Sequence, residues 1–290
     1  MKVSIITVAQ ADARLLERTT QSVATQDHAS IEHIVLDSAP TSERDDGVPR
    51  LHERRTSRGF REGERIAALD RGVRHATGDI CAWLDPGSVY LPGALSAVVY
   101  AFAEDPAIDL MFGDGYRIAA SGRVGSRIRC SDFALLPCAL GEVTLLREAI
   151  FLRRDAFLAC GGLNAANSSC WDLELCADFA LRGRYLRRLD RCLTMTRLDP
   201  QRRNAADMRP LAAKIIGAKP GPLYPLARLL LRLEHFASDP LLRLQDILAT
   251  PRRHDCASRA TIDDQEECSA MIRFCAPAHP NEQRDGAART

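Results

Sequence analysis

Three apolar runs early in the chain each close on an aspartate: "IEHIVLD" (31–37), "GDICAWLD" (78–85) and "IDLMFGD" (108–114). Each is short, rich in β-branched or aromatic residues and bounded by polar segments, which is the signature of a buried strand. A fourth such run, "KVSIITV" (2–8), opens the chain. Helical spacing separates the strands. Leu15, Leu16, Thr19 and Val23 share a face over 12–26, with Asp12 placed to cap it, and Ile66, Leu69, Val73 and Ala76 share a face over 62–76. Another helix is expected from about 91 to 104, and 38–50 is loop by composition. Strand and helix in alternation predict a doubly wound α/β sheet. Ligands of such sheets bind beyond the carboxyl ends of the strands. Acids gathered there suit ribose hydroxyls or a metal-bound pyrophosphate, although each aspartate also has the simpler use of capping the helix that follows.

Common nucleotide and hydrolase motifs are missing. No G-x-G-x-x-G follows the first strand, and no P-loop lysine motif, G-x-S-x-G or H-E-x-x-H occurs. A nucleotidyltransferase would need a Gly- and Arg/Lys-rich loop after the first strand, where this chain has "AQAD" (9–12). A formal net charge of +1 gives no global field for nucleic acid. The ten cysteines include no C-x-x-C pair, so Cys81, Cys130, Cys138, Cys160, Cys170, Cys176 and Cys192 read as buried free thiols of a reducing compartment. Cys256, Cys268 and Cys275, with His254 nearby, leave a metal site in the tail as a minor alternative. The N-terminal apolar run passes directly into an amphipathic charged segment, unlike a signal peptide. No run approaches the ~20 apolar residues that span a bilayer. A cytoplasmic location is the expectation.

The second half is less regular. Residues 141–164 read as a loop or strand, a helix and a Gly-Gly turn; 169–189 read as a helix carrying Asp172 and Glu174, then a strand. The segment 222–248 is helical by pattern. Its part "PLYPLARLLLRLEHF" (222–236) is apolar around most of its circumference, so it is expected either to pack onto the main domain or to lie peripherally in a membrane interface. From about 250 the chain is polar and aperiodic, as disordered segments are. The expected division is a main α/β domain over 1–200, a C-terminal helical extension over 201–249 and a polar tail over 250–290.

Three segments, in order and at the right spacing, resemble the inverting family 2 glycosyltransferases of GT-A fold. They are "VSIITVAQADARLLERTTQSVATQDHASIEHIVLDSAPTS", "DRGVRHATGDICAWLDPGSVYLPGAL" and "FLRRDAFLACGGLNAANSSCWDLELCADFALRG", together spanning roughly 2–190. The resemblance implies a GT-A fold, with a mixed central sheet flanked by helices. It implies a nucleotide-diphosphate sugar as donor and a glycan or lipid-linked acceptor, with inversion at the transferred sugar. Asp37 matches the acid that contacts the nucleotide. Asp172 matches the catalytic base that takes the acceptor proton, though an acid in a first helical turn is also favoured by the helix dipole alone. Arg147 and Glu148 match a stretch lining the acceptor side.

The same resemblance singles out "WLDPGSVY" (83–90). Relatives commonly read "WLNSDDVY" there, and the paired aspartates hold the divalent ion that binds the donor pyrophosphate. Here those positions are Gly87 and Ser88, and Asp85 stands where asparagine is common. The implied cofactor, manganese or magnesium, is therefore held weakly through Asp85 alone or dispensed with. Hard cations require oxygen ligands, and aspartates at 87 and 88 are expected to rebuild the usual pair. Without an ion, arginines would neutralise the pyrophosphate, with Arg58, Arg61 and Arg65 nearest in sequence. The alternative function is a non-catalytic GT-A domain that binds a nucleotide, a glycan or a partner protein.

Overall fold

The computed structural model describes residues 1–9, 12–36, 62–118, 124–167, 169–197 and 208–217. Strand β1 (Val3–Val8) leads into helix α1 (Ala13–Ala24) and strand β2 (Ile31–Leu36). Asp12 caps α1 as its spacing predicts, its carboxylate accepting from the N–H groups of Arg14 and Leu15. Helix α2 (Glu62–His75) precedes β3 (Ile80–Trp83) and buries Ile66, Leu69 and Val73, the predicted face. β1 pairs in parallel with β2 and with β3; Val8 lies opposite Leu36, and Ile6 opposite Trp83.

Beyond β3 the order becomes mixed. β4 (Val89–Tyr90), α3 (Ala94–Glu104), β5 (Ile108–Ile118), β6 (Val124–Ile128) and α4 (Leu135–Leu140) follow. A single 3-10 turn (Arg147–Ala149) then opens β7 (Ile150–Arg153), before α5 (Arg154–Ala159), α6 (Trp171–Leu181), β8 (Tyr185–Thr196) and α7 (Met208–Ile216). The sheet order is β2-β1-β3-β7-β5-β8-β4, with β6 on β5. β7 runs antiparallel to both neighbours. The fold is thus the mixed α/β sheet flanked by helices that the resemblance implies, rather than a purely parallel doubly wound sheet.

The register fixes the edge at which a site can form. Phe151 of β7 faces Ala82 on one side and Met111 on the other. Three residues further along each strand, Asp85 and Asp114 therefore lie level at the same carboxyl edge. Because β7 is reversed, its leading turn, Arg147–Ala149, arrives at that edge too. Two glycines of β5 let β8 approach closely. A Cβ on Gly113 would lie 2.6 Å from Leu193 Cδ1, and one on Gly115 would lie 2.5 Å from the Thr194 carbonyl oxygen. The core beneath is aromatic and aliphatic, with Ile5, Ile6, Ile80, Phe112, Phe151, Phe157 and Phe179 fully buried. All seven cysteines among the described residues are buried, and burial pushes the Cys81 thiol up to about 12, which leaves it inert.

The tail beyond residue 217, including the helix expected over 222–248, the interfacial segment 222–236 and the three tail cysteines, lies outside the described residues. So do Asp37, Arg58 and Arg61. Among the described residues, no helix is long and apolar enough to cross a membrane.

Candidate functional site

The segment after β3 makes a tight turn. The Ser88 N–H donates to the Asp85 carbonyl (2.9 Å). Gly87 takes φ +88°, the glycine conformation that a type II turn with proline before it requires. Helix α1 staples this turn in place. Gly87 N–H donates to Thr19 Oγ1 (2.9 Å) and to the Leu15 carbonyl (3.1 Å), and the Thr19 hydroxyl donates to the Ser88 carbonyl (2.8 Å). On the other side, Ser88 Oγ bonds Thr196 Oγ1 at the end of β8 (3.1 Å). Ser88 therefore turns inward and is 1% exposed.

Asp85 is also turned inward. Its Oδ1 accepts from Arg65 Nη1 at 2.9 Å, and both residues are buried, at 7% and 4% exposure. Arg65 reaches it because α2 runs back across the sheet. The first turns of that helix lie over the carboxyl edge, and Ile66, its neighbour, anchors the helix in the core. A second arginine closes in from β8: a Cβ built on Gly87 would meet Arg197 Cδ at 3.1 Å.

These residues do not fit the divalent ion that the resemblance implies. Among the described residues, no group of three or more His, Cys, Asp or Glu side chains is placed to share a metal. The one carboxylate of the turn is ion-paired, and the Ser88 hydroxyl is directed at Thr196. An ion bound to Asp85 would sit about 4 Å from the Arg65 guanidinium. At an effective dielectric near 20 that repulsion is roughly 8 kcal/mol, which offsets about half of the attraction to a single carboxylate. Aspartates at 87 and 88 would not rebuild the pair in this turn. Position 87 has a left-handed backbone with Arg197 and Leu15 against it, and position 88 points into the protein.

The acceptor-side residues form a second wall at the same edge. Trp83, at the end of β3, packs edge-on against Trp171, at the start of α6, with ring centroids 4.9 Å apart. The Arg147 guanidinium lies 5.1 Å from the centre of the Trp171 ring, and its Nε is 3.9 Å from Asp172 Oδ2. Glu148 is buried beside them, and the Tyr90 phenol is pushed well above its ordinary value by burial and then by the Glu148 charge. The structure thus brings Arg147 and Asp172 together as the sequence suggested. It also adds Trp171, which sequence reasoning missed: nothing along the chain announces that residues 83 and 171 meet. Asp172 is 0% exposed. In this conformation it offers no surface to an acceptor hydroxyl.

Two other acids take structural roles. Asp114, level with Asp85, does not join a ligand-gripping set of acids. It is fully buried and accepts from Arg127 Nη2 (3.0 Å), from Arg188 Nη2 (3.3 Å) and from the Cys130 N–H (2.9 Å), tying the segment after β6 and strand β8 to β5. Glu174 accepts from Lys214 Nζ, Asn164 Nδ2 and Asn167 Nδ2. Burial alone would raise its pKa, but these donors outweigh burial and hold it below the ordinary carboxylate value.

Comparison with known proteins points one way. Residues 4–149 match the model of the family described as glycosyl transferase family 2. The O-antigen biosynthesis protein RfbC of Myxococcus xanthus is 27% identical over 167 residues, which are 56% of this chain and 13% of that protein. An uncharacterized glycosyltransferase of Nostoc sp. is 29% identical over 116 residues, 38% of this chain and 36% of that protein. The chain thus spans well under two thirds of either relative. Among solved structures, S. aureus TarS 1–349 superposes with a TM-score of 0.55 at 16% identity, over 95% of this chain and 80% of that one. The same protein in complex with UDP-GlcNAc superposes with a TM-score of 0.55 at 14% identity, over 96% and 82%. At these identities the likeness concerns the fold, which is that of the GT-A transferases.

Proposed function

Because the chain belongs to glycosyl transferase family 2, we propose that it moves a sugar from a nucleotide-diphosphate sugar to a hydroxyl of a glycan or lipid-linked acceptor, with inversion. The observation that carries this reading is the convergence of two charged walls on one carboxyl edge of the sheet. Asp85, Arg65 and Arg197 surround the turn after β3. Arg147, Glu148 and Asp172 stand beyond Trp83 and Trp171.

The diphosphate of the donor belongs on the arginine side, with Asp37 and Arg58 assigned to the nucleotide. The acceptor belongs on the Arg147 side. Its hydroxyl oxygen attacks the anomeric carbon from the face opposite the diphosphate. One C–O bond forms as the other breaks, the electron pair leaves with the nucleoside diphosphate, and Asp172 receives the hydroxyl proton. A single displacement inverts the centre. A base must come within hydrogen-bond reach of the proton or act through one water, and catalytic contacts often tighten only in the substrate complex. For Asp172, the enclosing wall has to open on that side. The relative involved in O-antigen biosynthesis supports a polysaccharide setting, and the UDP-GlcNAc complex of TarS makes UDP-sugars the first donors to try. Action at the cytoplasmic face, with peripheral membrane contact through 222–236, is part of the same proposal. Failure of the full-length protein to float with anionic liposomes at low salt would remove that contact.

The enclosure of Asp172 favours a second reading, a GT-A domain that binds a nucleotide, glycan or partner without transfer. One assay separates the two. Purified protein is incubated with UDP-, GDP- and dTDP-sugars, and released nucleoside diphosphate is measured by chromatography, with polysaccharide extracts as acceptors. Acceptor-stimulated release supports transfer. Donor binding without release, in all combinations, supports the second reading.

A further inference from the structure

We propose that the cleft between the start of α6 and α7 binds a sugar ring of the acceptor glycan, one other than the ring that reacts, through Asn164, Asn167 and Glu174. The inference rests on the transfer reading above and adds a place where the acceptor is recognised apart from the chemistry.

The cleft has a volume of about 250 Å³. Sites for drug-sized ligands run to roughly 300–1,000 Å³, so this one suits a single ring. Asn164, Asn167 and Glu174 give it polar lining, and Ala166, Pro210 and Leu211 give it apolar lining. A sugar ring has both kinds of surface, with hydroxyls at its rim and C–H groups on its faces.

The polar groups are held in one orientation. The Asn164 side-chain carbonyl accepts from the Ala166 N–H (3.1 Å), and that of Asn167 accepts from the Cys170 N–H (3.2 Å). Those bonds turn both amide nitrogens to Glu174. Asn164 Nδ2 donates to its Oε1 (3.1 Å) and Asn167 Nδ2 to its Oε2 (2.6 Å). Lys214 Nζ, from α7, also donates to Oε1 (2.8 Å). An ionised carboxylate has about four lone-pair positions and a side-chain amide has two N–H donors. Among the described residues, these bonds use three lone pairs and one N–H of each amide. A lone pair on Oε2 and an N–H on each asparagine remain. That set matches neighbouring sugar hydroxyls, each of which gives one hydrogen bond and takes another. The same donors hold Glu174 below the ordinary carboxylate value, which keeps it ionised. Two residues apart on one helix, Asp172 and Glu174 project to nearly opposite sides. The ring in the cleft is therefore not the one whose hydroxyl meets Asp172.

The test uses the full-length protein and saturation-transfer NMR with the methyl glycosides of glucose, galactose, mannose, rhamnose and N-acetylglucosamine. Calorimetric titration of UDP-, GDP- and dTDP-sugars runs beside it. At least one glycoside is expected to receive saturation. Asn164→Ala combined with Asn167→Ala is expected to weaken its binding at least fivefold, with donor affinity within twofold of wild type. If that variant does not fold by circular dichroism, Ala166→Phe, which fills the cleft and keeps the hydrogen-bonded network, is measured instead with the same expectation. Wild-type glycoside binding in a folded variant overturns the inference. So does donor affinity that falls together with glycoside affinity, because the glycoside then occupies the donor site. Absence of binding by every glycoside also overturns it, and donor binding that persists in that case leaves the transfer reading intact. Absence of both removes both. Glycoside binding that the variant weakens, with no binding by any donor, removes the transfer reading and keeps the cleft as the sugar site of a binding domain.

Discussion

Asp172 and Gly87 show how much a single position can decide. If Asp172 is the base, Asp172→Asn keeps the shape of the side chain and removes its ability to accept a proton. Turnover should fall by about 10²–10⁴ with donor affinity unchanged, as read from steady-state kinetics beside nucleotide titration. Turnover equal to wild type places the base elsewhere. Gly87→Asp tests the turn. A non-glycine residue in the left-handed region costs roughly 1–2 kcal/mol, and the new Cβ meets Arg197 Cδ at 3.1 Å and Leu15 Cδ2 at 3.2 Å. We expect a lower melting temperature and no gain in manganese affinity by calorimetry. A variant that is as stable as wild type and binds manganese would contradict the geometry of this turn. Sequence reasoning singled out Asp85, Arg147 and Asp172 because a resemblance can mark positions. It could not find the Arg65–Asp85 pair as a pair. Twenty residues of chain separate the two, and only the return of α2 over the sheet brings them together.

Elements were legible where pattern and local chemistry agreed. Asp12 announced the start of α1, and the spacing of Ile66, Leu69 and Val73 announced the buried face of α2. β4 was missed because two residues, Val89 and Tyr90, show no periodicity, and the helix expected from about 91 begins at Ala94. β6 and α4 were missed as well. β5 runs four residues past its expected end at Asp114. Gly113 and Gly115 look like strand breakers in sequence, and only the close approach of β8 explains them. The bond between α1 and the turn after β3 is a tertiary feature of the same kind, and Thr19 carries it. Thr19→Val keeps the volume and leaves the Gly87 N–H without its hydroxyl partner and the Ser88 carbonyl without its donor. Removing partners from buried groups in this way costs about 2 kcal/mol, which for a chain of this size lowers the melting temperature by roughly 4–8 °C. An unchanged thermal melt would mean that α1 does not secure the turn.

At the scale of the whole molecule, acid sensitivity should come in two stages from one edge of the sheet. Burial lowers the His33 imidazole to about 4, where its Nε2 meets the Thr7 hydroxyl. Between about 6.5 and 4 the unfolded chain takes up this proton and the folded chain does not, so stability falls as pH drops through that window. Burial raises the Glu32 carboxyl, but the donors Ser4 and Thr77 outweigh it and, with the Lys2 charge, bring it to about 2. Its contribution is complete above about 4.5 and is lost as pH falls toward 2. Each stage is worth roughly 2 kcal/mol after allowance for partial exposure. Urea midpoints across pH should show both limbs. His33→Gln should flatten the upper limb and Glu32→Gln the lower. A single limb that neither variant changes would assign acid denaturation to other groups.

The reversal of β7 divides the sheet along a seam. On one side, β2, β1 and β3 carry the turn with Arg65 and Asp85; on the other, β5 and β8 join the elements around Arg147 and Trp171. The Ile150–Arg153 strand joins the halves through a backbone ladder that is indifferent to side-chain identity, and the Ser88–Thr196 bond and the Trp83–Trp171 contact cross the seam beside it. A transplant cut within β7 would part β5, which precedes it in the chain, from β8, which follows it, although the two pair from Ile108 to Arg117. Acceptor preference could be exchanged between related chains as a cassette only where the incoming β8 reproduces that register.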